Sequence, residues 1–304
     1  MSVVQQFCAV ESAAQGDPLA GSGAHAERNL LLSWPRPKWG RNLRRANDMS
    51  EALLARLDAL AEGGRRVNLI HRRDQPTDHH RLYLMPENRA FAVPRDELPA
   101  FLDAFDAGDD LTAWEGPAPA GPLLLCCTHG KKDKCCAKFG YAAYKALASA
   151  VEARPDLPFE VWESTHLGGC RLAASALVFP ALRKYGRIPP DDVIPLLESE
   201  AAGRPYLPCY RGDSRLGPLE QCAQVAALEW LAERGEPATA LEVVGVEARS
   251  ERARVTLAWR GRDSGEVSVL CESRELLRFD TCADIDGDGP GLSRVWQATA
   301  IEPR

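Results

Sequence analysis

Apolar residues along this chain change their period several times, and each change marks a new element. NLLLSW at residues 29–34 is a short, nearly continuous apolar run and predicts a first strand. EALLARLDALAEGG follows a loop. Its Leu53, Leu54, Leu57 and Leu60 recur at helical spacing, Ser50 stands where an N-cap belongs, and Gly63 and Gly64 end the helix. RRVNLIHR, HRLYLM and RAFAV then read as three strands, and ELPAFLDAFD as a helix with Asp96 as its cap. The order is β-α-β-β-β-α. Residues 1–28 carry Gly, Ala and Ser between polar residues and predict loose structure.

EGPAPAGP at residues 115–122 reads as a Pro/Gly linker. The same order then returns. LLLCC is a strand, CAKFGYAAYKALASAVE a helix, FEVWEST, ASALVF and KYGRI strands, and PDDVIPLLESE a helix. One order met twice indicates an internal duplication, on topology alone, since no residue-level repeat is visible. A further helix, GPLEQCAQVAALEWLAERG, precedes three alternating runs that suit a β-meander: ALEVVGVEA, RVTLAWRG and EVSVLCES. The chain reads as an α/β protein of three parts: residues 1–115, residues 123–235, and a β-rich C-terminal extension over 236–304.

Hydrophobic residues at 45% and charged residues at 26% are enough for a packed core in a chain of 304 residues. A net charge of −6 and the absence of a Lys/Arg run argue against a nucleic-acid partner and fit an acidic surface meeting basic partners. The first residues lack a basic segment followed by an apolar one, and no apolar run approaches the ~20 residues of a membrane span. A cytoplasmic location is expected. In such a reducing compartment ten cysteines point to metal or redox chemistry rather than to a disulfide framework.

Four residues of the second half form a ligand set: Cys127, Cys136, His166 and Cys170. Eight residues lie between the two members of the first pair and three between those of the second. Each pair includes a choice. Neighbours in a strand face opposite ways, so Cys126 and Cys127 cannot both face one metal; Cys127, nearer the loop, is preferred and Cys126 goes to the core. Cys136 lies on the buried helix face with Gly140, Ala143 and Leu147, whereas Cys135 lies off it. Gly168 and Gly169 allow a tight turn and close backbone approach to a cofactor. Thiolates with one histidine suit a [2Fe–2S] cluster. Three thiolates with a neutral imidazole give such a cluster one negative charge when oxidised and two when reduced, so a helix N-terminus beside it favours reduction.

CTHGKKDKCCAKFG and THLGGCRLAASALVFPALRKYGRI resemble the sucrase/ferredoxin-like family of thioredoxin-like [2Fe–2S] ferredoxins. The strong resemblance covers residues 123–188, with weaker marks at YRGDS and in DPLAGSGAHAERNLLLSW. It implies two thioredoxin-like halves, the second holding the cluster. It also implies one-electron transfer with redox protein partners, and places the first two ligands on Cys127 and Cys136. The family's second pair is commonly His-x-Gly-Gly-His. Here His166 matches and Cys170 replaces the second histidine, giving a three-cysteine, one-histidine set. Histidine ligation implies a raised potential, and proton-coupled reduction where its outer nitrogen reaches water. No distinctive carboxylate pair accompanies the resemblance, so nothing supports glycoside hydrolysis.

Competing readings stand beside these. The same four ligands suit structural zinc equally well by spacing. A redox or cluster-status sensor uses the same site for partner binding. No Cys-x-x-Cys pair supports thiol-redox chemistry. His129 is open between a donor behind the ligands and a loop cap. Lys131, Lys132 and Arg171 are open between solvated surface and a role in neutralising the cluster or docking a partner. His79 and His80 read as solvated loop residues. Cys209, Cys222, Cys271 and Cys282 have no paired spacing and read as small apolar packing. DIDGDG at residues 284–289 imitates a calcium loop but has Val295 where glutamate is needed, and reads as an acidic turn.

Overall fold

The computed structural model describes residues 6–236 and 240–304. In chain order the elements are α1 (Cys8–Ala14), β1 (Asn29–Ser33), α2 (Glu51–Glu62), β2 (Arg66–His71), β3 (His79–Met85), β4 (Arg89–Pro94), α3 (Leu98–Ala107), β5 (Leu123–Cys127), α4 (Tyr141–Ala153), β6 (Glu160–Ser164), β7 (Ala176–Phe179), β8 (Arg183–Tyr185), α5 (Val193–Ala201), β9 (Tyr210–Asp213), α6 (Pro218–Glu233), β10 (Ala240–Ala248), β11 (Arg252–Arg260), β12 (Ser264–Arg278), α7 (Cys282–Asp286) and β13 (Gly291–Pro303). The fold is mixed α/β with a separate antiparallel sheet at the C-terminus. The order β-α-β-β-β-α occurs twice, as β1 to α3 and β5 to α5. No described helix is long and apolar enough to cross a membrane.

By internal contacts the chain forms two compact units. One, here the α/β unit, comprises residues 26–168 and 176–182; the other comprises 1–25, 169–175 and 183–304. In the α/β unit seven strands follow the order β4-β3-β1-β2-β6-β5-β7. β1 is parallel to β2 and antiparallel to β3. β5 stands likewise to β6 and β7. β2 and β6 join the two groups antiparallel, through Ile70 opposite Ser164 and His71 opposite Glu163. β1 and β5 are buried at every position, which is why both read as unbroken apolar runs. Leu53, Leu54, Leu57 and Leu60 of α2 are the buried stripe that their spacing predicts, and they pack on Leu30, Leu69, Phe91 and Phe101.

The Ser50 hydroxyl accepts the Leu53 N–H at 3.2 Å, as a cap should. Asp96 does not cap α3. Glu97 holds that position without a side-chain bond, and a proline in the first turn removes one of the donors that a cap would satisfy. The segment 115–122 is tied down: Gly116 N–H donates to Ala90 O at 3.0 Å, and Arg81 Nη2 to Pro117 O at 2.9 Å. His79 and His80 are not loop residues. They open β3, and His80 is 1% exposed, stacked on Trp34 with centroids 4.7 Å apart.

In the other unit α1 occupies part of the stretch expected to be loose, with Cys8 and Ala9 buried on it. β10 to β13 form a four-stranded meander, one strand more than the three runs predict. Val255, Leu257, Val267 and Val269 pack with Ala223 and Ala227 of α6. The acidic run at 284–289 has a local use. Asp284 accepts from the Thr281 N–H and hydroxyl at 2.7 and 2.9 Å, closing a capping box on α7.

Candidate metal centre

β5 ends in two cysteines whose side chains diverge, as strand geometry requires. The Cys126 thiol turns to the following helix and donates to Gly140 O at 3.3 Å. Burial pushes that thiol well above its ordinary range, and the charges of Cys127 and Glu163 push the same way. Cys127 goes the other way. A hydrogen bond from Cys136 holds its thiol well below the usual range against the penalty of burial, and His166 adds a further hydrogen bond and a favourable charge. Adjacent residues thus differ in kind: burial raises one thiol, and hydrogen bonds lower the other.

The helix that brings Cys136 to Cys127 begins with a local cap. Asp133 Oδ1 accepts the Cys135 N–H at 2.8 Å. Residues Cys136–Gly140 form a π-helical turn that runs into α4, a distortion frequent at functional sites. Gly140 sets how closely this turn approaches β5, since a Cβ there would lie 2.0 Å from the Cys127 carbonyl oxygen. Cys135 and Cys136 are both buried. Of the two, Cys136 makes the bond to Cys127.

His166 is fixed through its backbone. Its carbonyl accepts from Arg66 Nη2 at 2.5 Å and from Asn68 Nδ2 at 3.3 Å, and its N–H donates to His129 Nδ1 at 3.2 Å. Because Nδ1 accepts there, the proton of His129 sits on Nε2, which donates to Gly40 O at 2.7 Å. Both ring nitrogens are engaged only in the neutral form, and burial likewise lowers the basicity of His129. His129 therefore acts as a strut behind His166. Thr165 completes the support, donating its N–H to Leu69 O at 2.9 Å and its hydroxyl to Leu43 O at 2.7 Å.

Arg66, Asn68 and Thr165 were not among the residues singled out by sequence. The signal available was Asn68, a polar residue inside the apolar run VNLI. It is wholly buried, accepts from Arg66 Nε at 2.9 Å, and donates to Thr165 Oγ1 at 3.1 Å. Burial lowers the basicity of Arg66, while the nearby Cys127 favours its charged form.

Gly168 and Gly169 both take left-handed backbone, with φ of 93° and 80°. Gly169 and Cys170 belong to the other unit. The space beside Gly169 is taken by Arg211, whose Nη2 would lie 2.8 Å from a Cβ. Cys170 opens a buried 3₁₀ turn, Cys170–Leu172. Arg171 is committed within that unit, to Asp17 at 2.6 Å and Asp280 at 3.1 Å, so it is not a solvated cation. Lys131 is exposed and Lys132 half-buried. Two cysteine pairs escaped prediction because they are distant in sequence. Cys8 and Cys282 lie with sulfurs 3.6 Å apart, and Cys222 is hydrogen-bonded to Cys271.

Cys127, Cys136 and His166 are thus brought together, with hydrogen bonds that hold the Cys127 thiol below its ordinary range. That donor chemistry suits an iron–sulfur cluster or zinc.

Among solved structures, the chain is similar to the wild-type thioredoxin-like [2Fe–2S] ferredoxin from Aquifex aeolicus. Identity is 17%, over 29% of this chain and 94% of that one, with a TM-score of 0.27. A cysteine-to-serine variant of that ferredoxin matches at 16% identity over 30% and 97% of the two chains, with a TM-score of 0.28. No protein with a curated description matches. The model of the sucrase/ferredoxin-like family matches residues 19–212, well over half of the sequence, and the chain belongs to that family.

Proposed function

We propose that this protein is a one-electron carrier holding a [2Fe–2S] cluster on Cys127, Cys136, His166 and Cys170. The observation that carries the reading is the meeting of Cys136 and His166 on Cys127, both hydrogen-bonded to its sulfur, while Cys126 turns away to the Gly140 carbonyl. Cys170 enters from the sequence pattern. It follows His166 by four residues, so the chain keeps their Cα atoms within about 14 Å. When bound, the cluster supplies one-electron oxidation and reduction.

The chain's own groups orient and tune. Arg66 and Asn68 hold the His166 carbonyl, and His129 holds its N–H. Outer partners of this kind fix ligand orientation. The charge of Arg66 acts on Cys127, and a cation there favours the more negative, reduced state. The partners are redox proteins that deliver and remove the electron, in a cytoplasmic setting that suits ten cysteines.

The test is an optical spectrum of anaerobically purified protein, with iron, sulfide and zinc assayed on the same sample. Two irons and two sulfides per chain, with a red-brown colour bleached by dithionite, are expected. Cys127→Ser abolishes that spectrum and Cys126→Ser leaves it largely intact. One zinc per chain, with no iron taken up after anaerobic reconstitution, would mean a structural metal and end the electron-transfer reading.

A further inference from the structure

We propose that the groove beside the Cys127 loop docks an acidic peptide segment of the redox partner. This rests on the electron-carrier reading and names the partner's chemistry.

Within the α/β unit an open cleft of about 1360 Å³ lies between residues 36–39, residues 71–74, residues 128–131 and one face of α4. Its position follows from the topology. β2 and β6 pair antiparallel through residues at their carboxyl ends, so the loops leaving β1, β2 and β5 gather around that junction. Crevices outside the carboxyl ends of strands, where strand order reverses, are the usual binding places of α/β sheets.

The charge of the cleft opposes that of the chain. Arg36, Arg72, Arg73, Lys131 and Lys145 line it, against the carboxylates Asp74, Glu152 and Glu163. Five cations against three anions leave a positive groove on a protein of net charge −6. Glu163 is 4% exposed and already satisfied, by Arg36 Nη1 at 2.9 Å and Thr128 Oγ1 at 2.7 Å. Arg36 and Lys145 both lie over the Tyr141 ring, 4.5 and 5.2 Å from its centroid. The ring steadies both side chains at the groove wall; Arg36 is paired with Glu163 and Arg72 with Asp74 at 2.6 Å, so the excess positive charge rests on Arg73, Lys131 and Lys145 against Glu152.

Size and charge select the occupant. The volume exceeds the ~300–1,000 Å³ of small-ligand pockets, so an extended chain fits better than a metabolite. A nucleic acid carries its charge far beyond one groove and meets the repulsion of the whole acidic molecule. An acidic peptide concentrates its charge where the cations are. Thr128 to Lys131 follow Cys127 directly in sequence, so a segment seated there touches the loop of a proposed iron ligand.

The experiment uses the full-length, cluster-loaded protein and fluorescein-labelled octaglutamate, followed by anisotropy at low ionic strength. Saturable binding is expected, weakened by salt and weakened at least about tenfold in Arg73→Glu/Lys145→Glu. Arg252→Glu/Arg262→Glu makes the same change of net charge on β11 and the turn that follows it and should cost far less. Absence of saturable binding, equal loss in both double variants, or tighter binding of a labelled oligothymidylate would overturn the proposal. The visible spectrum of each sample keeps the two readings apart. A missing cluster sinks the carrier reading, whereas a normal spectrum with no peptide binding sinks only the groove.

Discussion

At the scale of single residues, environment decides the role. Cys126 and Cys127 share a residue type and a strand, yet one thiol is pushed up by burial and the other pulled down by Cys136 and His166. His80 shows the same control on a basic group. Its Nδ1–H donates to Ser33 O at 2.8 Å, its ring stacks on Trp34, and burial pushes its pKa down to about 4. The lowered value has a consequence for stability. Above the ordinary histidine range both folded and unfolded forms are neutral and nothing is lost. As pH falls from about 6.5 towards 4, the unfolded chain takes up a proton that the folded one refuses, and stability drops. The full loss is on the order of 3 kcal/mol. Urea midpoints measured from pH 7 to pH 4 should fall more steeply for the wild type than for His80→Gln. Parallel curves would mean that His80 opens to solvent before it titrates.

At the scale of elements, most of the regular structure was legible because each element shows its burial pattern in sequence. α2 announces itself by four leucines and Ser50, and β1 and β5 by unbroken apolar runs. What stayed hidden depends on contacts distant in sequence. The π turn at Cys136–Gly140 has no sequence mark apart from Gly140, whose need is set by the Cys127 carbonyl on another element. The two halves also share a residue-level mark. Pro86 and Pro180 each follow the third strand of a half, and each is followed three residues later by an arginine that opens the fourth. The residues before those arginines, Asn88 and Leu182, share a φ of 53°. Asparagine advertises a left-handed turn and leucine does not. Gly140→Ala tests the element-level account. The added methyl meets backbone and not a movable side chain, so the helix must withdraw, at a cost of about 1–3 kcal/mol. A lower urea midpoint and a weakened or absent visible spectrum are expected. Unchanged values for both would show that the close approach is not needed.

At the scale of the whole molecule, the two β-α-β-β-β-α halves raise the question of what the first contributes, since it carries none of the proposed ligands. Within the α/β unit its β2 reaches across the junction with β6. Asn68 bonds to Thr165 and His166, and Arg66 bonds to the His166 carbonyl while its charge acts on Cys127. On the electron-carrier reading, the first half is expected to serve as a supporting arm that also sets the potential. Arg66→Gln keeps an amide donor for the His166 carbonyl and removes the charge together with the Nε bond to Asn68. A pure scaffold and a tuning arm then predict different results. If Arg66 tunes, the variant keeps its visible spectrum and its urea midpoint while its midpoint potential falls, because the more negative reduced state loses a neighbouring cation. Arg66→Lys, which restores the charge without the fork, should recover most of the potential. A potential unchanged in Arg66→Gln would leave the first half with structural support alone.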